Sequence, residues 1–250
     1  MSFTISSTTT FAPNTASVSG SFNPKKAGSK TSHVIIVLDD SYSMRSIRDN
    51  TISGFNEYIG GQKIDALNTG IKTSLSLYKF DGTNVNQVYN KVNINDVQPL
   101  TRETYNPQGS TNLLDAIGGV MMQINTDLIK QKKTERESVI ITILTDGEEN
   151  TSRTFSKNDI KAMIEKAESK NWGFMFLGTN IDAFSEGAAL GFKAHNTLQF
   201  NSANIQESIR SASLMTSRMK SAYSTGAATG DVYVATAFTD AERSSSNGEA

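Results

Sequence analysis

The sequence predicts an α/β domain whose doubly wound, mostly parallel sheet has six strands, one of them an antiparallel edge strand. Three continuous apolar runs, at residues 33–38, 138–144 and 172–177, are typical of strands buried on both faces. Segments with helical spacing separate these runs, which indicates a parallel sheet covered by helices. The Asp81-Gly82 turn predicts the antiparallel strand, because so short a loop cannot make a parallel crossover.

The first half of the chain contains one predicted helix and the edge hairpin. Helical spacing follows the first apolar run, at Phe55, Tyr58, Ile59 and Gln62. The neighbouring pair Gly60-Gly61 weakens that helix prediction, since glycine lowers helix propensity. Apolar residues then predict a strand over 75–80, and the turn leads into its partner strand over 85–92.

The second half alternates helices with the remaining strands. An amphipathic helix is predicted over 113–128. Ser156 marks a helix start, with Asp159 three residues later as the acidic partner of a capping box. A short helix over 181–190, a strand over 197–200 and a final helix over 205–223 follow the third apolar run.

The flanks differ in composition from the central domain, which we place at residues 33–225. Residues 1–32 are rich in Ser and Thr, and predict a flexible N-terminal arm or an arm that orders on a partner. Residues 226–250 predict a C-terminal extension that is partly docked or disordered. Its apolar residues Val232, Val234 and Phe238 could dock on the domain, whereas residues 244–248 look like a frayed end.

Composition excludes several classes of function. The 24 Lys and Arg residues nearly balance the 25 Asp and Glu residues, so we expect no nucleic-acid partner. The chain has no cysteine, which excludes disulfides, thiolate metal sites and cysteine nucleophiles. Its first residues lack the pattern of a secretory signal, and no apolar run approaches the ~20 residues of a membrane span. We therefore expect a cytoplasmic protein without a membrane partner.

Polar residues that follow the buried strands are the candidate site, because open α/β sheets bind ligands at the carboxyl ends of their strands. An Asp-x-Ser-x-Ser pattern follows the first run, a Thr precedes the helix predicted from residue 113, and a Thr-Asp-Gly sequence follows the second run. The candidate residues are Asp39, Ser41, Ser43, Thr111 and Asp146.

Together these residues resemble the metal-ion-dependent adhesion site (MIDAS) of von Willebrand factor A (vWA) domains, which have a Rossmann-like fold. The family's five metal ligands match, in order, Asp39, Ser41, Ser43, Thr111 and Asp146. The resemblance covers about residues 33–225, and segments 54–58, 114–117 and 173–178 also resemble compact bacterial and phage members. It implies a protein-interaction module whose metal ion takes a Glu or Asp carboxylate from a partner.

The chemistry of the residues agrees with that implication. Two carboxylates and three hydroxyls are hard oxygen ligands, which suit Mg²⁺ best, with Mn²⁺ or Ca²⁺ as alternatives. Each residue also has a local explanation: Asp39, Thr111 and Asp146 could cap helices, and Ser41 and Ser43 could be turn residues.

Neighbouring side chains have two roles open to them. Asp115 could hold a metal-bound water or could simply favour the start of its helix. We expect Asp40 to be solvated or to support the ligands, and Glu148 and Glu149 to be exposed. Tyr42, Met44 and Tyr105 are predicted at the rim of the site, as anchors for a partner or as loop packing.

An enzyme is the weaker interpretation. A Mg²⁺-dependent phosphohydrolase of the haloacid-dehalogenase type needs a second Asp two residues after the first, and Ser41 stands there. A receiver domain needs a late lysine that the sequence does not supply. The two histidines, His33 and His195, are expected as surface or edge residues at the amino ends of strands, far from the metal. The other alternative is a self-assembling structural protein that associates through residues 1–32.

Overall fold

Six strands form a single sheet in the computed structural model, within residues 28–130, 137–147, 149, 151–179 and 182–248, which the structure describes. The strands are β1 (Thr31–Asp39), β2 (Lys72–Phe80), β3 (Val85–Asn93), β4 (Ser138–Thr145), β5 (Trp172–Gly178) and β6 (Thr197–Gln199). Their order is β3-β2-β1-β4-β5-β6, and β3 alone runs antiparallel to its neighbour. The predicted fold class is confirmed.

Helices cover both faces of the sheet. They are α1 (Arg48–Thr69), α2 (Leu113–Ile129), α3 (Lys157–Glu168), α4 (Ala183–Leu190), α5 (Ile205–Ser224), α6 (Thr229–Thr236) and α7 (Asp240–Asn247). One apolar core lies under α1, α5 and α6, and a second lies under α2, α3 and α4. Successive residues of β1 alternate between the two cores, since strand side chains point to opposite faces. Among the described residues, no helix is long and apolar enough to cross a membrane.

Helix α1 continues through Gly60 and Gly61, although this pair weakened its prediction from sequence. The reason is tertiary packing against α5. A Cβ atom at Gly61 would lie 2.9 Å from the Ser213 Oγ atom, so the glycine allows the two helices to approach closely. The helix ends at Gly70, whose φ of 67° is the left-handed conformation that glycine adopts without strain.

The C-terminal residues add two helices after α5, which the sequence predicted to be the final helix. Val232 and Phe238 pack in the core, but Val234 is 78% exposed because it lies on the outer side of α6. Residues 244–247, predicted as a frayed end, belong to α7. A capping box between Thr239 and Glu242 begins that helix, and Glu242 also pairs with Arg218 of α5 at 2.8 Å. Residues 1–27 of the predicted arm lie outside the described residues.

The strand order determines where a ligand could bind. The chain passes from β1 to β2 on one side, and β4 pairs with β1 on the other side. The connections that leave the carboxyl ends of β1 and β4 therefore diverge at the centre of the sheet, which is the usual ligand position in open α/β folds.

Candidate metal centre

The Asp39 side chain is completely buried at the carboxyl end of β1. Its Oδ1 atom accepts the Ser41 N–H at 2.8 Å, and its Oδ2 atom accepts the Thr145 hydroxyl at 2.6 Å. The Tyr105 hydroxyl donates to the Asp39 backbone carbonyl at 2.7 Å. Three separate segments therefore hold this residue in place.

The hydroxyls of Ser41 and Ser43 lie beside the second carboxylate. The two Oγ atoms are 3.1 Å apart, and the Ser43 hydroxyl donates to Asp146 Oδ1 at 2.6 Å. Adjacent ligands of a six-coordinate Mg²⁺, with bonds of about 2.1 Å, lie about 3 Å apart. These oxygen atoms thus have spacings that fit a shared cation.

Thr111 completes the group of oxygen side chains. It is buried just before α2, and its Oγ1 atom faces Gly147, the residue after Asp146. A Cβ atom at Gly147 would lie 3.7 Å from Thr111 Oγ1 and 3.6 Å from Ser43 Oγ. The structure thus brings all five candidate residues to one edge of the sheet.

The two carboxylates are held without a cationic side chain. Burial raises the pKa of Asp39 to about 6, although hydrogen bonds from Ser41 and Thr145 act to lower it. Burial also raises the pKa of Asp146. Among the described residues, no ion pair involves either carboxylate. A divalent cation would stabilise their charged forms.

The candidate ligands suit a hard cation, and three of the five are hydroxyls. Within the described ranges, no three His, Cys, Asp or Glu side chains come together as a metal site. Two carboxylates and three hydroxyls suit Mg²⁺, Mn²⁺ or Ca²⁺ better than a soft metal ion.

The neighbouring Asp40 has a different role from Asp39. Its Oδ2 atom forms an ion pair with Lys79 Nζ at 2.8 Å, and only 13% of its side chain is exposed. Burial raises the pKa of Asp40, while Lys79 acts to lower it. The Asp40 carbonyl accepts the Gln108 N–H at 2.7 Å, so this residue connects the loop after β1 to the segment before α2. Of the two roles expected for Asp40, a solvated side chain or support of the ligands, the solvated one is wrong.

Only one of the three predicted rim residues lies at the surface. Tyr42 is 63% exposed, and Arg45 lies over its ring at 5.5 Å. Met44 is buried because the short 3-10 helix Tyr42–Ile47 turns its side chain into the core. Tyr105 is also buried, and its hydroxyl donates to the Asp39 backbone carbonyl.

Asp115 and Glu149, two acidic residues near the site, accept hydrogen bonds from backbone N–H groups. The carboxylate of Asp115 accepts the N–H groups of residues 153, 154 and 155. Burial acts to raise the pKa of Asp115, but these hydrogen bonds leave it lowered. Glu149 was expected to be exposed, but it is half-buried and accepts the Leu114 N–H at 2.9 Å. Its position depends on how the segment after β4 meets the start of α2, and no local sequence pattern indicates that contact. Glu148 lies outside the described residues.

The two histidines lie at the amino ends of their strands, as predicted. His195 is exposed, but His33 is buried, which corrects the prediction of a surface or edge residue. His33 Nε2 lies 2.8 Å from Ser76 Oγ, and its Nδ1 atom lies 3.9 Å from Glu137. Burial lowers the pKa of His33 to about 4. Although this group resembles a serine nucleophile with its base, Ser76 is completely buried and inaccessible to substrate.

The strand order and the antiparallel edge strand give the chain a vWA-like fold, with the oxygen cluster at its carboxyl edge. No protein-family model and no curated protein sequence matches the chain. Solved structures do resemble it. One is proximal thread matrix protein 1 from the mussel byssus, described with a zinc-occupied MIDAS motif, at 10% identity and a TM-score of 0.49. That match covers 77% of this chain and 47% of the mussel protein, so the chain spans about half its length.

A second similar structure is the manganese-loaded TRAP protein of Plasmodium vivax. It has 14% identity and a TM-score of 0.46, and the match covers 72% of each chain. Similarities at this level transfer neither ligand nor partner to this chain.

Proposed function

We propose that this chain is a non-enzymatic protein-interaction module that depends on a divalent metal ion. Asp39, Ser41, Ser43, Thr111 and Asp146 would hold the ion, and an acidic residue of a partner protein would complete its coordination. The proposal rests above all on the two buried carboxylates, which face hydroxyls and have no cationic partner among the described residues.

Mg²⁺ is the favoured ion. Only two of the five proposed ligands are charged, so they neutralise a divalent ion without excess negative charge, and the ion stays electrophilic enough to take a further carboxylate. Mg²⁺ also retains exchangeable water, which an incoming ligand can displace.

Both histidines are remote from the site, which supports recognition without turnover. His33 is buried near the amino end of β1, six residues before Asp39, so about 20 Å of strand separates the two residues. His195 precedes β6, which lies three strands from β1 in the sheet, or about 14 Å across it. A bound ion would therefore attract a ligand without a neighbouring imidazole to activate water.

The surface beside the proposed ion also fits a protein ligand. Tyr42 lies between the ligands Ser41 and Ser43, and most of its ring is exposed. Arg45 stacks on this ring and adds positive charge beside the site. An acidic partner segment would thus meet a cation, an aromatic ring and a guanidinium group, a combination typical of interface hot spots.

Affinity purification from the cytoplasm of source cells, where we place the protein, tests this function. The intact chain, the Thr111→Ala variant and the Glu165→Ala variant are compared in Mg²⁺ and in EDTA. Glu165 is an exposed acid of α3 and serves as the control. We expect to find partner proteins that bind the wild type and the control variant in Mg²⁺. The same partners should be lost in EDTA, and they should not bind Thr111→Ala.

The partner's own chemistry provides the second arm of the test. Replacing its metal-binding Glu or Asp by the corresponding amide should abolish association, because the amide brings no negative charge to the ion. Partners that persist both in EDTA and with Thr111→Ala would contradict the proposal. Metal-dependent hydrolysis of a phosphate ester by the purified chain would contradict its non-enzymatic character.

A further inference from the structure

Glu149 is the centre of a dense hydrogen-bond cluster next to the candidate metal centre. Its Oε1 atom accepts the N–H groups of Thr151 at 2.7 Å and Ser152 at 2.6 Å. Its Oε2 atom accepts the Leu114 N–H at 2.9 Å and the Ser152 hydroxyl at 2.7 Å. The Leu114 N–H belongs to the first turn of α2, where backbone donors have no partner within the helix. Glu149 therefore joins the segment after Asp146 to the start of α2.

The same cluster holds the backbone of Thr111. The N–H group and the hydroxyl of Thr151 donate to the Thr111 carbonyl at 3.1 and 2.8 Å. Because Glu149 orients Thr151, it also determines where the Thr111 backbone lies. A continuous path of hydrogen bonds thus runs from Glu149 through Thr151 to a proposed metal ligand.

Residues 153–155 are fixed on α2 independently of Glu149. Asp115 accepts the N–H groups of these three residues. The Phe155 ring packs against Gly118, where an added Cβ atom would come within 2.5 Å of the ring. Loss of Glu149 should therefore loosen the connection to Thr111 while the segment stays docked.

We propose that Glu149 is a positioning residue for the metal centre, and that it acts through Thr111 without binding the ion itself. This inference rests on the proposed metal-binding function. Its physical basis is that Thr111, before α2, and Asp146, after β4, lie in segments far apart in sequence. Their ligand atoms meet in the correct geometry only if hydrogen bonds join the two segments. Residues that orient metal ligands in this way typically change metal affinity by about 10- to 100-fold when they are replaced.

A double-mutant cycle on the full chain tests this role, with Mn²⁺ binding measured by calorimetry. Glu149→Ala is made in the wild type, in Thr111→Ala and in Ser41→Ala. The last two variants each remove one neutral hydroxyl and keep both carboxylates, so they are matched backgrounds. Unfolding by urea in EDTA is measured for every variant, and Glu149→Gln replaces Glu149→Ala if the latter does not fold.

We expect Glu149→Ala to weaken Mn²⁺ binding at least about tenfold in the wild type and in Ser41→Ala. In Thr111→Ala the further loss should be under about twofold, because the residue through which Glu149 acts has lost its ligand group. The loss of stability in EDTA should be the same in both backgrounds.

Two other results overturn the inference. Equal losses of affinity in Thr111→Ala and Ser41→Ala would show that Glu149 acts on the site as a whole or on the ion directly. Unchanged affinity in the wild-type background would show that its role is limited to folding. A wild-type chain that binds no Mn²⁺ would instead reject the proposed function, and with it this inference.

Discussion

Charged groups are buried at both ends of the central strands, but their partners differ between the two ends. At the amino end each charged group is paired or neutral. Lys220 Nζ is completely buried and lies 2.6 Å from Asp65, and Lys91 Nζ lies 2.6 Å from Glu137. Burial keeps His33 neutral by lowering its pKa to about 4. This end of the sheet has an internal balance of charge.

At the carboxyl end, Asp39 and Asp146 are buried with hydroxyl and backbone N–H donors, and no described cationic side chain pairs with them. Isolated buried carboxylates are unfavourable unless a cation accompanies them or they take up a proton. The difference shows that the amino end is a completed structural feature, whereas the carboxyl end is suited to receive a cation from solution. Four predictions follow from this comparison, in order of decreasing effect.

The largest expected effect is the loss of metal binding at the carboxyl end. Asp39→Ala and Asp146→Ala should each weaken Mg²⁺ or Mn²⁺ binding by more than about a hundredfold in calorimetry, since each removes a charged ligand. Ser41→Ala should weaken it less, because a neutral hydroxyl contributes less. Glu137→Gln, at the amino end, should leave the affinity unchanged. Affinity like that of the wild type in both Asp variants would show that the cluster is not a metal site.

The second effect is on stability, and it should appear at the amino end. Asp65→Ala leaves the Lys220 ammonium group buried without its partner, at a cost of about 3–5 kcal/mol in the free energy of unfolding. Burial already acts to lower the pKa of Lys220. Urea denaturation should show the same loss with and without Mg²⁺. The double variant with Lys220→Met should recover most of it, and a loss below 1 kcal/mol would show that the pair is not needed.

The third effect is a pH dependence of opposite sign at the two ends. The pKa of Asp39 rises from 3.8 to about 6 on folding, so its contribution to stability is full below pH 3.8 and is lost as pH rises through 6. The pKa of His33 falls from 6.5 to about 4, so its contribution is full above pH 6.5 and is lost as pH falls through 4. In the wild type the two dependences oppose each other.

Comparison with Asp39→Asn isolates the first of these dependences. In EDTA, the stability of this variant relative to the wild type should rise by about 2 kcal/mol between pH 4 and pH 7. In Mg²⁺ the rise should shrink, because the cation stabilises the charged carboxylate of the wild type alone. Urea denaturation at each pH measures both series, and a flat difference in EDTA would mean that Asp39 is already ionised at pH 4.

The smallest effect should be that of metal removal on the fold. Two apolar cores lie on either side of the sheet and are formed by side chains of the strands and helices, none of which is a proposed ligand of the ion. EDTA should therefore leave the far-ultraviolet circular dichroism nearly unchanged, in contrast to a zinc finger, which unfolds without its ion. Unfolding on chelation would show that the metal is part of the core structure.

The sequence alone predicted the strands and helices of the central domain and the candidate ligands at its carboxyl edge. Apolar runs and helical spacing are local patterns that report burial, and the short Asp81-Gly82 turn left only an antiparallel arrangement for β3. The candidate ligands were also readable, because each follows a buried strand or precedes a predicted helix, and strand ends meet at one edge of the sheet.

The tertiary structure decided which charged and polar side chains would be buried. Glu149 and Lys220 belong to types that are usually exposed, and nothing in their local sequence indicates that one anchors α2 and the other pairs with Asp65. The same holds for Tyr105, whose hydroxyl supports Asp39 from another loop. Burial of a polar group is stable only when its partner is in place, and these partners come from segments far apart in the chain, so only the folded arrangement could identify them.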